Sequence, residues 1–352
     1  MPLLTRMVTS PLFIDIRPGA VAGLGALLSD RRISADGQVA VAVGPGQGGR
    51  IVEAIRPSLA NADVYQVTDG TVDAALELQA QLRTRPYDAV VGIGGGRILD
   101  VTKYAATRIA MPMVAVATNL AHDGIASPVS SLVHEGGKGS FGVTVPLAVV
   151  VDLDFVREAP PELVRSGVGD AVSNLTAIDD WLLASRERGE PVDGLAVAFA
   201  RTAAEAVLHR TDTIDSEAFL TVLAEALVLS GLAMSVAGSS RPSSGGEHEI
   251  LHAIDRLYPG TSNHGELAGT CALFSAFLRG DERLFEQLSR CLSRHGLARV
   301  PKELGLDEEQ FAAAVAYAPQ TRPERYTILE HLQLPADEIR RRVGDYVAAV
   351  DS

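Results

Sequence analysis

Short apolar runs alternate with amphipathic, helix-like segments in the first part of the chain. The runs are rich in valine and isoleucine, and several of them end in glycine or in a polar turn. Helix-like segments, such as 72–82 and 97–107, lie between the runs. This alternation predicts an α/β domain with a doubly wound, mostly parallel sheet. The predicted strands span residues 38–44, 63–68, 87–96, 111–118 and 146–154.

The pattern changes after about residue 160, where long alanine- and leucine-rich segments show helical periodicity. The most apolar stretch, 219–236, contains Glu225 and Gly231, and we interpret it as a buried helix rather than a membrane span. The 352 residues are therefore expected to form an α/β domain at 1–158 and an all-helical domain at 159–352. The predicted helices span residues 161–184, 193–209, 216–237, 247–258, 269–278 and 281–295.

Charge and cysteine content narrow the classes of partner. The formal net charge of -13 argues against a nucleic-acid binder and against docking on anionic membranes, because both need a basic face. Cys271 and Cys291 belong to no CxxC pattern, and residues 1–11 lack the features of a signal peptide. We therefore expect a cytoplasmic protein with a small-molecule ligand, no nucleic-acid partner and no membrane span. The sequence leaves a homo-oligomer open.

A glycine turn follows the third predicted strand, in the run Val90-Val91-Gly92-Ile93-Gly94-Gly95-Gly96-Arg97-Ile98-Leu99-Asp100. Glycines let a backbone approach a diphosphate closely, and the helix N-terminus that follows supplies free N–H donors. The run differs from the usual GxGxxG at a first strand. A dinucleotide site and a tight structural turn both fit these residues when they are taken alone.

A polar loop follows the next predicted strand and runs from Ala117 to Pro128. In open α/β sheets, ligands bind at the carboxyl ends of the strands, and loops from nearby strands can share one crevice. The loop contains His122 and Asp123, whose side chains could face such a crevice. An ordinary turn is the alternative interpretation of this pair.

Carboxylate and imidazole groups recur in the predicted helical part. His248 and His252 are four residues apart and share one helix face, and His264 precedes another predicted helix. Asp170 lies near the predicted start of a helix, where it could also serve as an N-cap. One carboxylate with two imidazoles suits a zinc-like divalent cation that keeps positions open for substrate. Spacing alone does not decide between His248 and His252 as the ligand.

These motifs together resemble the sn-glycerol-1-phosphate dehydrogenases. That branch belongs to the superfamily of iron-containing alcohol dehydrogenases, glycerol dehydrogenase and 3-dehydroquinate synthase, so the resemblance implies a dehydroquinate synthase-like fold. It extends from about Pro11 to Leu334. The matching segments, in chain order, are Gly94 to Asp100, His122 to Pro128, Gly169-Asp170, Glu247-His248 to His252, His264-Gly265-Glu266 and Arg325 to Glu330.

The resemblance implies a role for each matching residue. Asp170, His248 and His264 would hold the metal, usually zinc. Asp123, Asp170 and His252 would be the catalytic residues that face the substrate. The nicotinamide cofactor, NAD or NADP, would contact the following residues: Gly94, Gly95, Gly96, Arg97, Ile98, Leu99, Asp100, Thr118, Asn119, Leu120, Ala121 and Ser127.

Some positions depart from the family pattern. Arg97 stands where lysine is common and keeps the positive charge, whereas Asn119 and Leu120 are larger than the residues usual in that loop. The larger residues leave the exact substrate open. The first predicted strand ends at Gly44 without a carboxylate that would reject a 2′-phosphate, so both NAD and NADP are expected.

The sequence therefore predicts a metal-dependent NAD(P)H oxidoreductase that interconverts a ketone and a secondary alcohol on a small polyol phosphate. Dihydroxyacetone phosphate and sn-glycerol 1-phosphate are the expected pair. The metal would act as a Lewis acid, and the nicotinamide would exchange the hydride. The alternative is a sugar-phosphate cyclase of the 3-dehydroquinate synthase type that uses NAD transiently. Candidate cations for the substrate phosphate are Arg97, Lys103, Arg241 and Arg325.

Overall fold

The computed structural model describes residues 9–351, without the side chain of Asp351. The predicted absence of a signal peptide at 1–11 therefore falls mostly outside the described residues. The chain divides into two compact units. The first unit comprises the chain up to Leu120 together with Gly124–Pro160, and the second comprises Ala121–Asp123 and Pro161–Ser352.

The first unit contains a six-stranded sheet and a separate two-stranded sheet. Its strands are β1 (Phe13–Arg17), β2 (Val39–Val43), β3 (Asp63–Gln66), β4 (Ala89–Gly94), β5 (Met113–Ala117), β6 (Val129–His134), β7 (Gly137–Gly142) and β8 (Ala148–Asp152). The large sheet has the order β1-β8-β5-β4-β2-β3, and all of its neighbouring pairs are parallel. The predicted parallel α/β sheet is therefore confirmed. The antiparallel pair β6–β7 and the edge strand β1 were not predicted.

Five helices accompany the large sheet: α1 (Leu24–Asp30), α2 (Gly48–Ile55), α3 (Val72–Leu82), α4 (Gly96–Arg108) and α5 (Leu153–Glu158). Every residue of β2, β4, β5 and β8 is buried, which explains why these strands are continuous apolar runs rather than alternating ones. One core cluster packs Leu24 and Leu28 of α1 and Ile51 and Ile55 of α2 against the valines of the strands.

Within the described residues, the second unit consists of helices and turns, as the sequence predicts. The helices are α6 (Pro161–Arg188), α7 (Gly194–Leu208), α8 (Glu217–Ala237), α9 (Gly246–Leu257), α10 (His264–Arg279), α11 (Glu282–His295), α12 (Glu308–Tyr317), α13 (Ile328–Leu332) and α14 (Ala336–Asp351). Short 3-10 turns at Arg241–Ser243, Pro301–Leu304 and Ala318–Gln320 connect some of them. Helix α10 begins five residues before the predicted start at 269, because Gly265 does not interrupt it.

Helix α8 is long and apolar enough to cross a membrane by length and composition alone. Its most apolar window is 61% buried inside the protein. Leu220, Leu223 and Leu227, one helical turn apart, are among its buried side chains. The burial agrees with the predicted buried helix at 219–236.

Candidate functional site

Three metal-ligating side chains converge from three helices of the second unit, and we call Asp170, His248 and His264 the metal trio. Asp170 Oδ1 lies 4.0 Å from His248 Nε2 and 3.8 Å from His264 Nε2. One ligand atom of each residue lies within 4.8 Å of the other two. Asp170 lies well inside α6 rather than near its start, so the helix-cap interpretation was wrong. The geometry suits three ligands of one cation.

Two glycines allow the helices that carry Asp170 and His264 to approach closely. A Cβ on Gly169 of α6 would overlap the carbonyl oxygen of Gly265 on α10. A Cβ on Gly265 would in turn overlap the carbonyl oxygen of Ser166. Each glycine is a sequence neighbour of one ligand, so the absence of a side chain there places the carboxylate and the imidazole side by side.

Glu247 orients His248 from the side opposite the trio. Its Oε1 accepts a hydrogen bond from His248 Nδ1 at 3.0 Å. With the proton on Nδ1, the lone pair of His248 lies on Nε2, which is the nitrogen that faces Asp170. Burial acts to raise the pKa of Glu247, but the hydrogen bond from His248, the interaction with a protonated His248 and backbone hydrogen bonds together lower it overall. The sequence analysis missed Glu247, whose only signal is its place directly before His248.

Asp170 is a buried carboxylate among other acids. Burial is the main cause that raises its pKa well above the usual range, followed by the charge of Asp123 and, more weakly, of Glu247. The N–H of Asp123 donates to Asp170 Oδ2 at 2.8 Å and partly opposes this rise. A cation among the trio would stabilise the ionised carboxylate, so the donor set fits a divalent metal in both geometry and charge.

Asp123 is positioned by a buried hydroxyl network of the second unit. Ser230 Oγ donates to Asp123 Oδ2 at 2.9 Å. Asn174 Nδ2 donates to Ser230 Oγ at 3.1 Å, and the hydroxyl of Ser243 lies 3.0 Å from the same oxygen. The network holds the carboxylate of Asp123 beside Asp170. Asn174, four residues after Asp170 on α6, therefore supports Asp123 through Ser230.

His248 and His252 share a helix face but have different partners. The ring of His252 lies 6.2 Å from that of His248 and 6.4 Å from that of His264, between centroids. Its Nε2 lies 3.0 Å from Arg322 Nη2. Because a guanidinium can only donate, Nε2 of His252 accepts and the ring proton is on Nδ1. His248 thus faces Asp170 and His252 faces Arg322, a distinction that spacing left open.

Two of the four cations predicted to hold a substrate phosphate are already satisfied within the protein. The buried Lys103 donates to the carbonyl oxygens of Gly124 and Val129, at 2.8 and 2.6 Å, and forms an ion pair with Asp100. Arg241 forms an ion pair with Glu190 and donates to a backbone carbonyl. These contacts argue against both cations as direct phosphate ligands. Arg97 is exposed, and Arg325 donates to Ser240 Oγ at 2.6 Å and to the carbonyl oxygen of Ser244.

The glycine turn, which we define as Gly94–Gly96, links β4 to α4 in the first unit. Gly95 precedes the helix in an extended conformation and provides no side-chain cap. The first N–H groups of α4 therefore remain for water or a ligand. A Cβ on Gly95 would overlap the amide nitrogen of Asn119, which follows β5. The turn thus requires glycine because the next loop approaches it closely.

Several of the other predicted cofactor residues expose little of their side chains to solvent. Ile98, Leu99, Asp100, Leu120 and Ser127 are buried. The carboxylate of Asp100 pairs with Lys103 and accepts the N–H of Ser131 at 3.2 Å. The hydroxyl of Ser127 donates to the carbonyl of Val129 at 3.2 Å. A contact between these residues and a cofactor would therefore involve mainly the backbone. Ala121 belongs to the second unit, where its carbonyl accepts from Ser166 Oγ at 2.8 Å.

Comparisons with known proteins show which proteins the chain is similar to. The family model of iron-containing alcohol dehydrogenases matches residues 15–160. A glycerol-1-phosphate dehydrogenase [NAD(P)+] of Methanospirillum hungatei is 38% identical over 270 residues, which are 76% of this chain and 75% of that protein. The protein of the same name from Hyperthermus butylicus is 35% identical over 326 residues, 90% of this chain and 93% of that one.

Solved structures show the same fold at lower sequence identity. A probable glycerol dehydrogenase from Sinorhizobium meliloti superposes with a TM-score of 0.80 and 20% identity, and the match covers 99% of both chains. The dehydroquinate synthase-like arrangement predicted from the motifs, an α/β part followed by a helical part, is therefore confirmed. By its identity to relatives along most of their length, the chain belongs to the glycerol-1-phosphate dehydrogenase family.

Proposed function

We propose that this protein is an NAD(P)-dependent oxidoreductase that interconverts dihydroxyacetone phosphate and sn-glycerol 1-phosphate, or a closely related polyol phosphate pair. The observation that carries the proposal is the metal trio, with Asp123 and His252 beside it in the same unit. The names of the relatives favour a dehydrogenase over a sugar-phosphate cyclase. Both substrates of the proposed reaction are small enough for one cleft and carry a single phosphate.

The metal trio would hold one divalent cation, with zinc as the expected ion. Two imidazoles and one carboxylate are a common catalytic zinc set that leaves a coordination position for substrate. Glu247 fixes the tautomer of His248 for this role. When bound, the cation would supply the Lewis acidity that polarises a carbonyl and lowers the pKa of an alcohol.

Asp123 and His252 would handle the substrate. The carboxylate of Asp123, held by Ser230, would accept a hydrogen bond from a substrate hydroxyl and orient it. His252, held by Arg322, would orient the substrate on the other side and take part in proton transfer. Both residues would thereby fix the carbon that exchanges a hydride.

The glycine turn would bind the diphosphate of NAD or NADP through the N–H groups at the start of α4. The nicotinamide supplies or accepts the hydride when it is bound. Either cofactor is expected, because the backbone after β2, at Gly44, presents no carboxylate against a 2′-phosphate. We also propose a cytoplasmic location, in which the buried thiols of Cys271 and Cys291 stay reduced.

The proposal is tested by following NAD(P)H absorbance with dihydroxyacetone phosphate as substrate, together with metal analysis. Asp170→Asn should lose most of the bound metal and lower kcat/KM by about 100-fold or more, because a ligand and its charge are removed. Asp179→Asn, nine residues further along the same helix, is the matched control and should retain both. Full turnover by the metal-free protein in the presence of a chelator would refute the metal-dependent mechanism.

A further inference from the structure

Two arginines and two serines of the second unit form a polar cluster beside His252. Arg322 Nη1 lies 3.3 Å from Ser240 Oγ and 3.0 Å from Ser244 Oγ. Arg325 Nη2 donates to Ser240 Oγ at 2.6 Å, and Nη1 donates to the carbonyl oxygen of Ser244. Both guanidiniums therefore converge on one hydroxyl oxygen. We call Arg322 and Arg325 the arginine pair.

Among the residues that the structure describes, no carboxylate lies within ion-pair distance of either guanidinium of the arginine pair, although the charges of Glu249 and Glu247 act on both from further away. Glu249, an acid of the same neighbourhood, accepts instead from the hydroxyl of Thr327 at 3.0 Å. Burial, together with the positive charges of Arg322 and Arg241, lowers the pKa of Arg325 to about 9. Two crowded, half-buried guanidiniums are unfavourable unless an anion joins them.

Three other cations that are buried or largely buried are paired with carboxylates, unlike the arginine pair. Arg241 pairs with Glu190, Arg279 with Asp180 and Lys103 with Asp100. Each of these pairs is complete without a ligand. The comparison indicates that burial of a cation in this fold is usually accompanied by a carboxylate, and that the arginine pair is arranged for an anion from outside.

The polar cluster is linked to the metal trio through His252. Arg322 Nη2 contacts His252 Nε2, and the centroid of the His252 ring lies 6.2 Å from that of His248 and 6.4 Å from that of His264. A three-carbon chain with a phosphoester has bonds of about 1.5 Å each, so it extends over a similar length. A substrate at the trio could therefore place its phosphate at the arginine pair.

We propose that the arginine pair, together with the hydroxyls of Ser240 and Ser244, binds the phosphate group of the substrate. This inference rests on the function proposed above and assigns a part of the same site. Guanidinium forks match phosphate oxygens in two-point hydrogen bonds, and each serine hydroxyl, which accepts from an arginine, has its own proton left to donate. An unphosphorylated ketose would leave both charges unneutralised, so the cluster selects for phosphorylated substrates.

The sequence analysis identified half of this pair. Arg325 was a candidate because it begins the run Arg325 to Glu330, whereas Arg322 carried no signal. The structure adds Arg322 through its contacts with Ser244 and His252, and these partners lie 78 and 70 residues away. Arg322, rather than Lys103 or Arg241, is therefore proposed to bind the substrate phosphate together with Arg325.

The test compares dihydroxyacetone phosphate with unphosphorylated dihydroxyacetone in the metal-loaded enzyme. Arg322→Gln and Arg325→Gln should each lower kcat/KM for the phosphate ester by about 100-fold, because a buried charge that contacts the ligand is removed. Arg325→Gln, which does not touch His252, should leave kcat/KM for dihydroxyacetone and KM for NAD(P)H nearly unchanged. Arg322→Gln also removes the partner of His252, so it should lower kcat/KM for both ketoses, but more for the phosphate ester. Arg322→Lys and Arg325→Lys keep the charge without the fork, and should show intermediate losses.

Inorganic phosphate provides a readout that does not depend on turnover. It should raise the Tm of the wild-type protein, and this rise should be lost in the double variant R322Q/R325Q but retained in the control Arg256→Gln. It should also compete with dihydroxyacetone phosphate. Equal losses for the phosphorylated and unphosphorylated ketose, or a change confined to KM for NADPH, would overturn the assignment. If no ketone is turned over, the proposed function fails, and the shift in Tm still decides whether the arginine pair binds phosphate.

Discussion

The glycine turn of the first unit and the arginine pair of the second are both proposed to receive phosphate, and they do so with different groups. At the glycine turn the donors are N–H groups at the start of α4, and the essential feature of Gly95 is that it lacks a side chain. At the arginine pair the donors are charged side chains held by serines. Phosphate binding by backbone N–H groups should be weakened by an added side chain, whereas phosphate binding by arginines should be weakened by loss of their charge.

The two sites also affect the stability of the ligand-free protein differently. Free N–H groups at a helix start are solvated by water and impose little penalty. Two half-buried guanidiniums without a carboxylate are destabilising until an anion binds. The arginine pair is therefore a position where binding and stability conflict, as is common at functional sites.

The largest expected effect is on the free energy of unfolding, and it distinguishes substitution of Arg279 from substitution of Arg325. Arg279→Met removes one partner of the buried pair with Asp180 and should lower the free energy of unfolding by about 3–5 kcal/mol, because the carboxylate is left uncompensated. Arg325→Met removes a charge that has no carboxylate partner, and should change the free energy of unfolding by about 1 kcal/mol or less. Urea denaturation of the phosphate-free proteins measures both. Equal destabilisation would mean that Arg325 is a structural cation like Arg279.

A smaller effect is expected at the glycine turn. Gly95→Ala places a methyl group at the start of α4 against the amide of Asn119, which must shift to make room for it. We expect the affinity for NAD(P)H to fall by about 10-fold, or ~1.4 kcal/mol. Asn119→Ala alone should have little effect, and the double variant G95A/N119A should recover most of the affinity. Calorimetric titration with cofactor measures this cycle, and independent losses at the two positions would disprove the steric coupling.

The contrast between the two sites also explains what the sequence could predict. The glycine turn is a local feature in which strand, glycines and helix start are adjacent, so that the run Val90 to Asp100 predicted its structure from residues alone. The strands β2, β4, β5 and β8 were equally clear, because burial on both faces makes them continuous apolar runs. The edge strand β1 was missed because it is partly exposed and pairs with β8, far along the chain.

The side-chain sites depend on contacts between distant segments. Spacing could not separate His248 from His252, since the difference lies in Asp170 on one side and Arg322 on the other. The resemblance to a known family selected His248, and the structure supplies the physical reason. Lys103 was a reasonable phosphate candidate by sequence, but its carbonyl partners are brought to it by the loop that precedes β6 and by β6 itself. Local patterns therefore predict backbone sites better than charged ones.

The smallest expected effect is at Arg97, the exposed second residue of α4. If the glycine turn binds phosphate through its backbone, this charge adds only a screened attraction. Arg97→Ala should weaken NAD(P)H binding by a few-fold at most, equivalent to about 0.3–1 kcal/mol, and the loss should shrink as salt is added. Arg108→Ala, at the opposite end of the same helix, is the matched control and should have no effect.

A large loss of cofactor affinity in the Arg97→Ala variant would contradict the distinction between a backbone site at the glycine turn and a charged site at the arginine pair. If Arg97→Ala weakened cofactor binding by about 100-fold, the effect would equal that predicted for the arginine pair, and the turn would have to be a charged site as well. Persistence of the loss in high salt would support the same conclusion, because screening weakens exposed charges much more than desolvated ones. A small, salt-sensitive loss would instead leave the N–H groups of α4 as the main phosphate ligands, with Arg97 acting as an attracting charge at the surface.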